Sequence, residues 1–437
     1  MAEKAQTITE GIKISSEISA EIKKKIKSVL DFKEEFDKFA TENISELSEV
    51  ILGGGIILDA SDIHIETEEE RVKIRVRCDG VLQDVTTIDR KVYQGLLSRI
   101  KLLAGLKMNI TNRPQDGRFS VFYSEEQPIE IRVSTLPSEY GESIVLRLLN
   151  PKSLISLDAL GLRKDLLALL KKEIKKPNGM IIVTGPTGSG KTTTLYAFLK
   201  QLQSPEIKII TIEDPIEYHL PGISQTQVAP EKGYTFASGL KSIVRQDPDV
   251  ILVGEIRDLE TAEIALQSAL TGHLVFTTLH TNDAAGTVAR LVSLGANPSN
   301  IGPAVNMAVA QRLLRKVCDK CRELKKISSE DLKKIKNGLN NVLKIADVPK
   351  ISEDLKIPIT KGCKYCNNAG FRGRVGIFEA FLIDDDMENF IVKNPSIADL
   401  REKAIKKGFV TMYQDGLIKV LEGMTTIEEV ERVTGEE

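Results

Sequence analysis

Apolar residues recur at helical spacing through the Lys/Glu-rich residues 8–52, at Ile12, Ile14, Ile18, Ile22, Ile26, Val29 and Leu30, with no proline among them. That spacing predicts helix. Its apolar stripe suits an arm packed on its own domain or a helix offered to a partner, and no sustained heptad is present. Gly53-Gly54-Gly55 is expected to break the pattern. Between Asp62 and Arg147 the period becomes two, in Arg71-Val72-Lys73-Ile74-Arg75-Val76-Arg77, Phe119-Ser120-Val121-Phe122 and Ile129-Glu130-Ile131-Arg132-Val133. Alternation means strands with one buried face, and residues 91–106 between them read as helix, so a separate α+β domain is predicted. Asn150-Pro151 and the residues to Gly161 read as a linker.

Beyond Leu162 a helix leads to four continuous apolar runs, residues 180–184, 207–212, 250–253 and 274–278, with helix-forming sequence between them. Unbroken apolar runs belong to strands buried on both faces, hence to a mostly parallel sheet covered by helices, the α/β class. Residues 328–344 and 384–437 read as helical, and the chain shows no internal repeat or low-complexity segment.

The 437 residues suffice for two or three domains with cores of their own. Lys+Arg is 60 against Asp+Glu 62, a net charge of -2, so no basic excess advertises nucleic acid, although a local basic channel stays open. No run approaches the roughly 20 apolar residues of a membrane span, and the polar residues 1–10 lack the regions of a signal peptide. A cytoplasmic chain that does not span the membrane is the expectation.

Chemistry enters at Gly185-Pro186-Thr187-Gly188-Ser189-Gly190-Lys191-Thr192, followed by Thr193. This fits the phosphate-binding pattern G-x-x-x-x-G-K-[ST], placed between an expected strand and an expected helix. Glycines let backbone N–H groups curl around phosphate oxygens, Lys191 reaches the β/γ-phosphates, and Thr192 can ligate Mg²⁺. Glu213-Asp214 and Glu255 end the next two strands, where carboxylates face the ligand crevice of an open α/β sheet. One can hold Mg²⁺ through water and another can polarise the attacking water, the alternative being helix caps. His273 and His280 bracket the fourth run. A strand-end histidine can sense a γ-phosphate by a hydrogen bond, or be structural.

Cys318-x-x-Cys321 and Cys363-x-x-Cys366 make two knuckles separated by a long insertion. Four thiolates match closed, structural tetrahedral Zn²⁺, with reactive or disulfide-paired cysteines as the alternative. Lys316, Lys320, Arg322, Lys361 and Lys364 would offset the charge of a tetrathiolate, and Cys78 reads as a small core residue. Arg113-Pro114-Gln115-Asp116-Gly117-Arg118 sets guanidinium groups at both ends of a turn, either solvated or serving as arginine fingers from a neighbouring subunit.

With these residues in view, residues 47–437 resemble the ATPases of type II secretion systems and of type IV pilus assembly. Ala60-Ser61-Asp62-Ile63-His64-Ile65-Glu66 and the Arg113 to Arg118 turn are similar to that family's PAS-like domain. Thr211-Ile212-Glu213-Asp214-Pro215-Ile216-Glu217 resembles its Asp box, Gly254-Glu255-Ile256-Arg257-Asp258 its Walker B segment, Thr271 to Asp283 its His box, and Cys363 to Glu379 its metal-binding insertion.

The resemblance implies a 1–46 helical arm, a 47–150 PAS-like α+β domain, a 151–161 linker and a 162–437 RecA-type P-loop domain with a tetracysteine insertion at about 316–380. It implies a cytoplasmic homohexamer peripheral to the inner membrane, using ATP, Mg²⁺ and Zn²⁺, with a platform protein and a membrane-bound adaptor as partners and no nucleic acid. ATP would lie between the two domains, and arginines would cross a subunit boundary. By position, Lys191 and Thr192 bind MgATP, Glu255 is the Walker B carboxylate, Glu213 is a second candidate for activating water, and Arg113 and Arg118 match the motif arginines, with Arg132 and Arg147 as further candidates. The insertion favours extension or secretion motors, since related retraction ATPases generally lack it. The residues before Leu47 are fewer than an ordinary domain of about 50 or more, so the adaptor is left open. Two other readings remain: a conjugation-type nucleic-acid translocase, which 5% aromatic residues disfavour, and a nucleotide-dependent assembly switch without turnover, which would need none of Glu213, Glu255 and Arg113.

Overall fold

The computed structural model describes residues 11–39, 43–123, 128–151, 154–343 and 345–435. The polar start at 1–10, residues 40–42 of the arm, 124–127, 152–153 of the linker, 344 and 436–437 lie outside them. Two compact units emerge: Met1–Ser153 with Cys318–Cys321 and Lys361–Arg372, and Leu154–Val317 with Arg322–Thr360 and Gly373–Glu437.

The first unit opens not with one run of helix but with strand β1 (Gly11–Lys13) and helices α1 (Ser16–Lys25), α2 (Val29–Phe39) and α3 (Ile44–Ile57). The expected break at Gly53-Gly54-Gly55 does not occur, because α3 runs through all three. A Cβ on Gly53 would overlap Ile22, and one on Gly54 would overlap the ring of Phe32. Close packing of α1 and α2 on α3 requires glycine there and offsets its poor helix propensity. Then come β2 (Asp62–Thr67), β3 (Val72–Cys78), β4 (Val81–Ile88), α4 (Arg90–Leu103), β5 (Gln115–Phe122), β6 (Ile129–Ser138) and β7 (Gly141–Leu149). The sheet order is β1-β5-β6-β7-β2-β3-β4. All its pairs are antiparallel except β1 on β5. Its alternating apolar residues, Ile63, Ile74, Ile131 and Leu146 among them, join Ile22, Phe32, Leu47 and Leu96 of the helices in one core.

The second unit comprises α5 (Lys164–Glu173), β8 (Gly179–Thr184), α6 (Lys191–Leu202), β9 (Ile209–Glu213), β10 (Ser224–Gln227), α7 (Phe236–Val244), β11 (Val250–Val253), α8 (Leu259–Leu270), β12 (Leu274–Leu279), α9 (Ala285–Ser293), α10 (Pro298–Ala304) and β13 (Val305–Val317). It continues with β14 (Arg322–Lys326), α11 (Ser329–Leu339), β15 (Lys356–Thr360), β16 (Phe371–Leu382), α12 (Asp385–Ile391), α13 (Ile397–Lys406), α14 (Met412–Leu421) and α15 (Ile427–Thr434). Every residue of β8, β9, β11 and β12 is buried, as their unbroken apolar runs require. The main sheet runs β10-β9-β11-β12-β8-β13-β16, and β14 pairs with β15 separately. Strands β10 to β13 pair in parallel, with a core on each face. After β8 the chain crosses to β9, leaving β12 and β11 between them. That arrangement opens a crevice at the C-terminal ends of the strands.

Candidate functional site

The phosphate-loop sequence leaves β8 where that crevice lies. Gly185, Gly188 and Gly190 all have positive φ, and a Cβ on Gly185 would press on the carbonyl of Gln311. Gly190 caps α6 with no side-chain hydrogen bond, so the free N–H groups of the helix start are left for a ligand. Ser189 Oγ is buried without a partner, and Lys191 Nζ donates to the carbonyls of Gly185 (2.8 Å) and Pro186 (3.1 Å). Orphaned donors, curled backbone and a lysine folded over its own loop fit a polyphosphate. Pro186, Thr187 and Gly188 are exposed, and Thr192 and Thr193 are half-buried at the helix start. Burial pulls the Lys191 ammonium below its ordinary pKa, and the Glu255 carboxylate opposes that shift.

Glu213 and Glu255 end β9 and β11, one strand apart, in different surroundings. Glu213 is 4% exposed. Its carboxylate accepts from the Tyr196 hydroxyl, from Thr211 Oγ1 at 2.6 Å and from Gln225 Nε2 at 3.2 Å. Three donors fix it in place and engage its lone pairs. Glu255 takes Arg257 on Oε1 and has His280 Nε2 3.5 Å from Oε2. The same Arg257 reaches Asp214 Oδ2 at 3.4 Å. Glu255 thus carries fewer hydrogen-bond donors than Glu213, which suits a carboxylate that would activate water.

Strand ends are tied by hydroxyls. Thr184 Oγ1 donates to the carbonyl of Leu279 at 2.9 Å, and Thr278 Oγ1 to that of Gly254 at 2.7 Å. These bonds hold the phosphate loop, Glu255 and His280 on one rim. His273 lies at the other end of β12, its Nδ1 3.0 Å from the Ser268 carbonyl. Below the rim, Glu379 accepts from the N–H groups of Ala284 and Met412, and burial pushes its carboxyl up to about 7 despite those donors.

Cys318, Cys321, Cys363 and Cys366 place their sulfurs within 4.8 Å of one another. Separations of 3.9, 3.7 and 3.7 Å are far from a disulfide bond. Four sulfurs about 2.3 Å from a central ion stand about 3.8 Å apart in a tetrahedron, so the set fits a tetrathiolate metal. Backbone N–H groups of Cys363 and Gly370 point at Cys366 Sγ, as thiolate charge favours. Cys78 is a core thiol that burial pushes up to about 12.

On the first unit's sheet, cross-strand register aligns Arg118, Arg132, Arg147, Asp62 and Arg77 in one row. Directly opposed like charges repel. Glu130 near Arg118 and Arg132, and Asp62 near Arg147 and Arg77, offset part of that cost. Arg113 is exposed in the bend before β5. Arg257, Asp214 and Glu379 stand in motif segments that assign them no role, and Tyr196, Gln225 and Gln311 carry no motif in the sequence. Those come into view only with the sheet order, which sets β9 between β10 and β11, and β13 between β8 and β16.

The profile of the family described as type II/IV secretion system protein matches residues 38–432. The chain is 45% identical over 394 residues to the type II secretion system ATPase E of Vibrio cholerae serotype O1, covering 90% of this chain and 76% of that one. It is 42% identical over 382 residues to the type IV pilus assembly ATPase PilB of Thermus thermophilus, covering 87% and 42%. Among solved structures, the pilus retraction motor PilT with bound ADP superposes with a TM-score of 0.59 at 27% identity, covering 87% of this chain and 95% of PilT. The Legionella pneumophila ATPase DotB superposes at 0.64 with 21% identity, covering 88% and 94%, a likeness of fold alone.

Proposed function

Because the chain belongs to the type II/IV secretion system protein family, we propose that it is a motor that hydrolyses MgATP to assemble a type II secretion pseudopilus or a type IV pilus. It is an ATP hydrolase. The observation that carries this reading is the convergence of the phosphate loop, Glu255 and His280 on one rim of a parallel sheet. No helix among the described residues is long and apolar enough to cross a membrane; the site of work in this reading is the inner-membrane surface.

Each residue has a part in that reading. Backbone N–H groups of residues 187–190 and the α6 start bind phosphate oxygens, Lys191 neutralises their charge, and Thr192 would hold Mg²⁺. Mg²⁺ would offset charge on the phosphates; the protein supplies the positions. Glu255 orients and deprotonates the attacking water, Arg257 and His280 aim Glu255, and Glu213 stiffens the neighbouring strand end through Tyr196. Arg113 and Arg118 complete the charge stabilisation from another copy of the chain in a homohexamer. The four cysteines would hold Zn²⁺ as a structural ion, since together they supply a complete tetrahedral ligand set. Nucleotide-driven rotation between domains would drive an inner-membrane platform protein.

The test is phosphate release from MgATP by wild type and Lys191→Ala, with particle mass from light scattering and pilus or secretion assembly scored in cells. Hydrolysis by a hexamer-sized wild type, lost together with assembly in the variant, supports the motor. Normal assembly by Lys191→Ala refutes it.

A further inference from the structure

Helix α2 receives one of its N-terminal caps from 338 residues downstream. Its own sequence supplies the rest. Ser28 Oγ accepts from the Asp31 N–H at 3.2 Å, the Ser28 carbonyl accepts from Phe32 at 3.0 Å, and Asp31 Oδ2 accepts from the Lys27 N–H at 3.1 Å. The first helical N–H, that of Val29, donates to Asn367 Oδ1 at 2.7 Å. Two further contacts come from the same stretch. Lys364 Nζ lies 2.7 Å from Asp31 Oδ1, and Arg372 Nη1 donates to the Lys27 carbonyl at 3.3 Å while its guanidinium stacks 3.8 Å over the Tyr365 ring. An acceptor, a cation and a guanidinium thus meet the corner between α1 and α2.

The residues that make these contacts are positioned by the cysteines. Lys364 and Asn367 flank Cys366, and the turn closes through Cys366 N–H to the Cys363 carbonyl and Asn368 N–H to that same carbonyl. Asn367 and Asn368 both sit at positive φ, a conformation that a free loop of non-glycine residues rarely holds. Closing Cys363 and Cys366 on one ion, with Cys318 and Cys321 as the other two ligands, supplies the constraint that keeps Asn367 there.

We propose that the metal-bound turn 363–372 is the docking site for the chain's own corner at residues 27–31, so that occupancy of the cysteine centre decides whether that corner and the start of α2 are capped or fray. This rests on the metal reading above. It adds a consequence that a purely structural zinc site lacks, because the cap groups of the 27–31 corner become available to another partner when the ion leaves.

The test is hydrogen exchange by mass spectrometry on the full chain, with zinc content measured on the same samples. Wild type, Asn367→Ala, chelator-treated wild type and chelated protein given zinc back are compared over residues 27–34 and over β6. Asn367→Ala keeps its zinc and raises exchange in 27–34 by about tenfold, as loss of a helix cap implies. Chelation raises it at least as much, zinc restores wild type, and β6 protection stays constant throughout. Zinc lost with unchanged exchange in 27–34 overturns the docking site alone, as does an Asn367→Ala protein that exchanges like wild type. A chain that never holds zinc and whose thiols titrate freely overturns the metal reading and the gating together.

Discussion

His280 Nε2 stands 3.5 Å from Glu255 Oε2 while Arg257 engages the other oxygen of that carboxylate. Glu255 thus has a guanidinium on one oxygen and an imidazole beside the other, and its charge is felt at Lys191. If His280 positions Glu255, His280→Ala lowers kcat by about 100-fold without weakening nucleotide binding. Nucleotide titration beside steady-state phosphate release checks this, and a variant that loses binding in proportion to turnover would place His280 in binding instead.

The Tyr196 hydroxyl donates to the buried carboxylate of Glu213. Burial and the Glu213 charge both push the tyrosine above its ordinary pKa, so it stays a neutral donor. Tyr196→Phe leaves a buried carboxylate oxygen short of one donor, costing about 1–3 kcal/mol. Urea unfolding of the variant measures that loss, and stability equal to wild type would show that water or a shifted Gln225 takes over the bond.

Glu379 ties the starts of α9 and α14 together, and its folded pKa of about 7 lies above the ordinary 4.5. A carboxyl whose folded pKa is raised contributes its full share below pH 4.5 and loses it as pH climbs to about 7. The loss amounts to about 3 kcal/mol over that window. The difference in unfolding free energy between wild type and Glu379→Gln should therefore shift in favour of the variant from pH 4.5 to 7 and flatten above. A pH-independent difference would mean the carboxyl is already ionised.

Gly54 packs against the face of Phe32 inside α3. Gly54→Ala gains helix propensity but overpacks this contact, so it lowers stability by about 1–3 kcal/mol. Thermal unfolding decides the sign, and a stabilised variant would mean that propensity outweighs packing.

Legibility from the sequence followed the range of the interactions. The phosphate loop was legible because strand, turn and helix are contiguous and its glycines have one shared reason to be there. Strands β8, β9, β11 and β12 were legible because burial on both faces leaves an unbroken apolar run. Strand β13 was not: Met307, Ala308 and Ala310 carry helix propensity, and pairing with β8 extends them. The three glycines of α3 were read as a break because their partners, Ile22 and Phe32, lie on other helices. The cysteine spacing pointed to a four-sulfur cluster but not to the contacts of Asn367 and Lys364 with α2, which join residues far apart in the chain. Glu213 and Glu255 looked equivalent as strand-end acids, and only their donors distinguish them.

The central claim is that Glu255, and not the fully bonded Glu213, activates water for MgATP hydrolysis. Single-turnover cleavage of MgATP by Glu255→Gln and Glu213→Gln, with nucleotide affinity measured alongside, tests it most directly. The expected result is cleavage slowed by about a thousandfold in Glu255→Gln with nucleotide still bound, against a smaller loss in Glu213→Gln that tracks reduced stability. Cleavage at the wild-type rate by Glu255→Gln, or a larger chemical loss in a stably folded Glu213→Gln, would contradict the assignment.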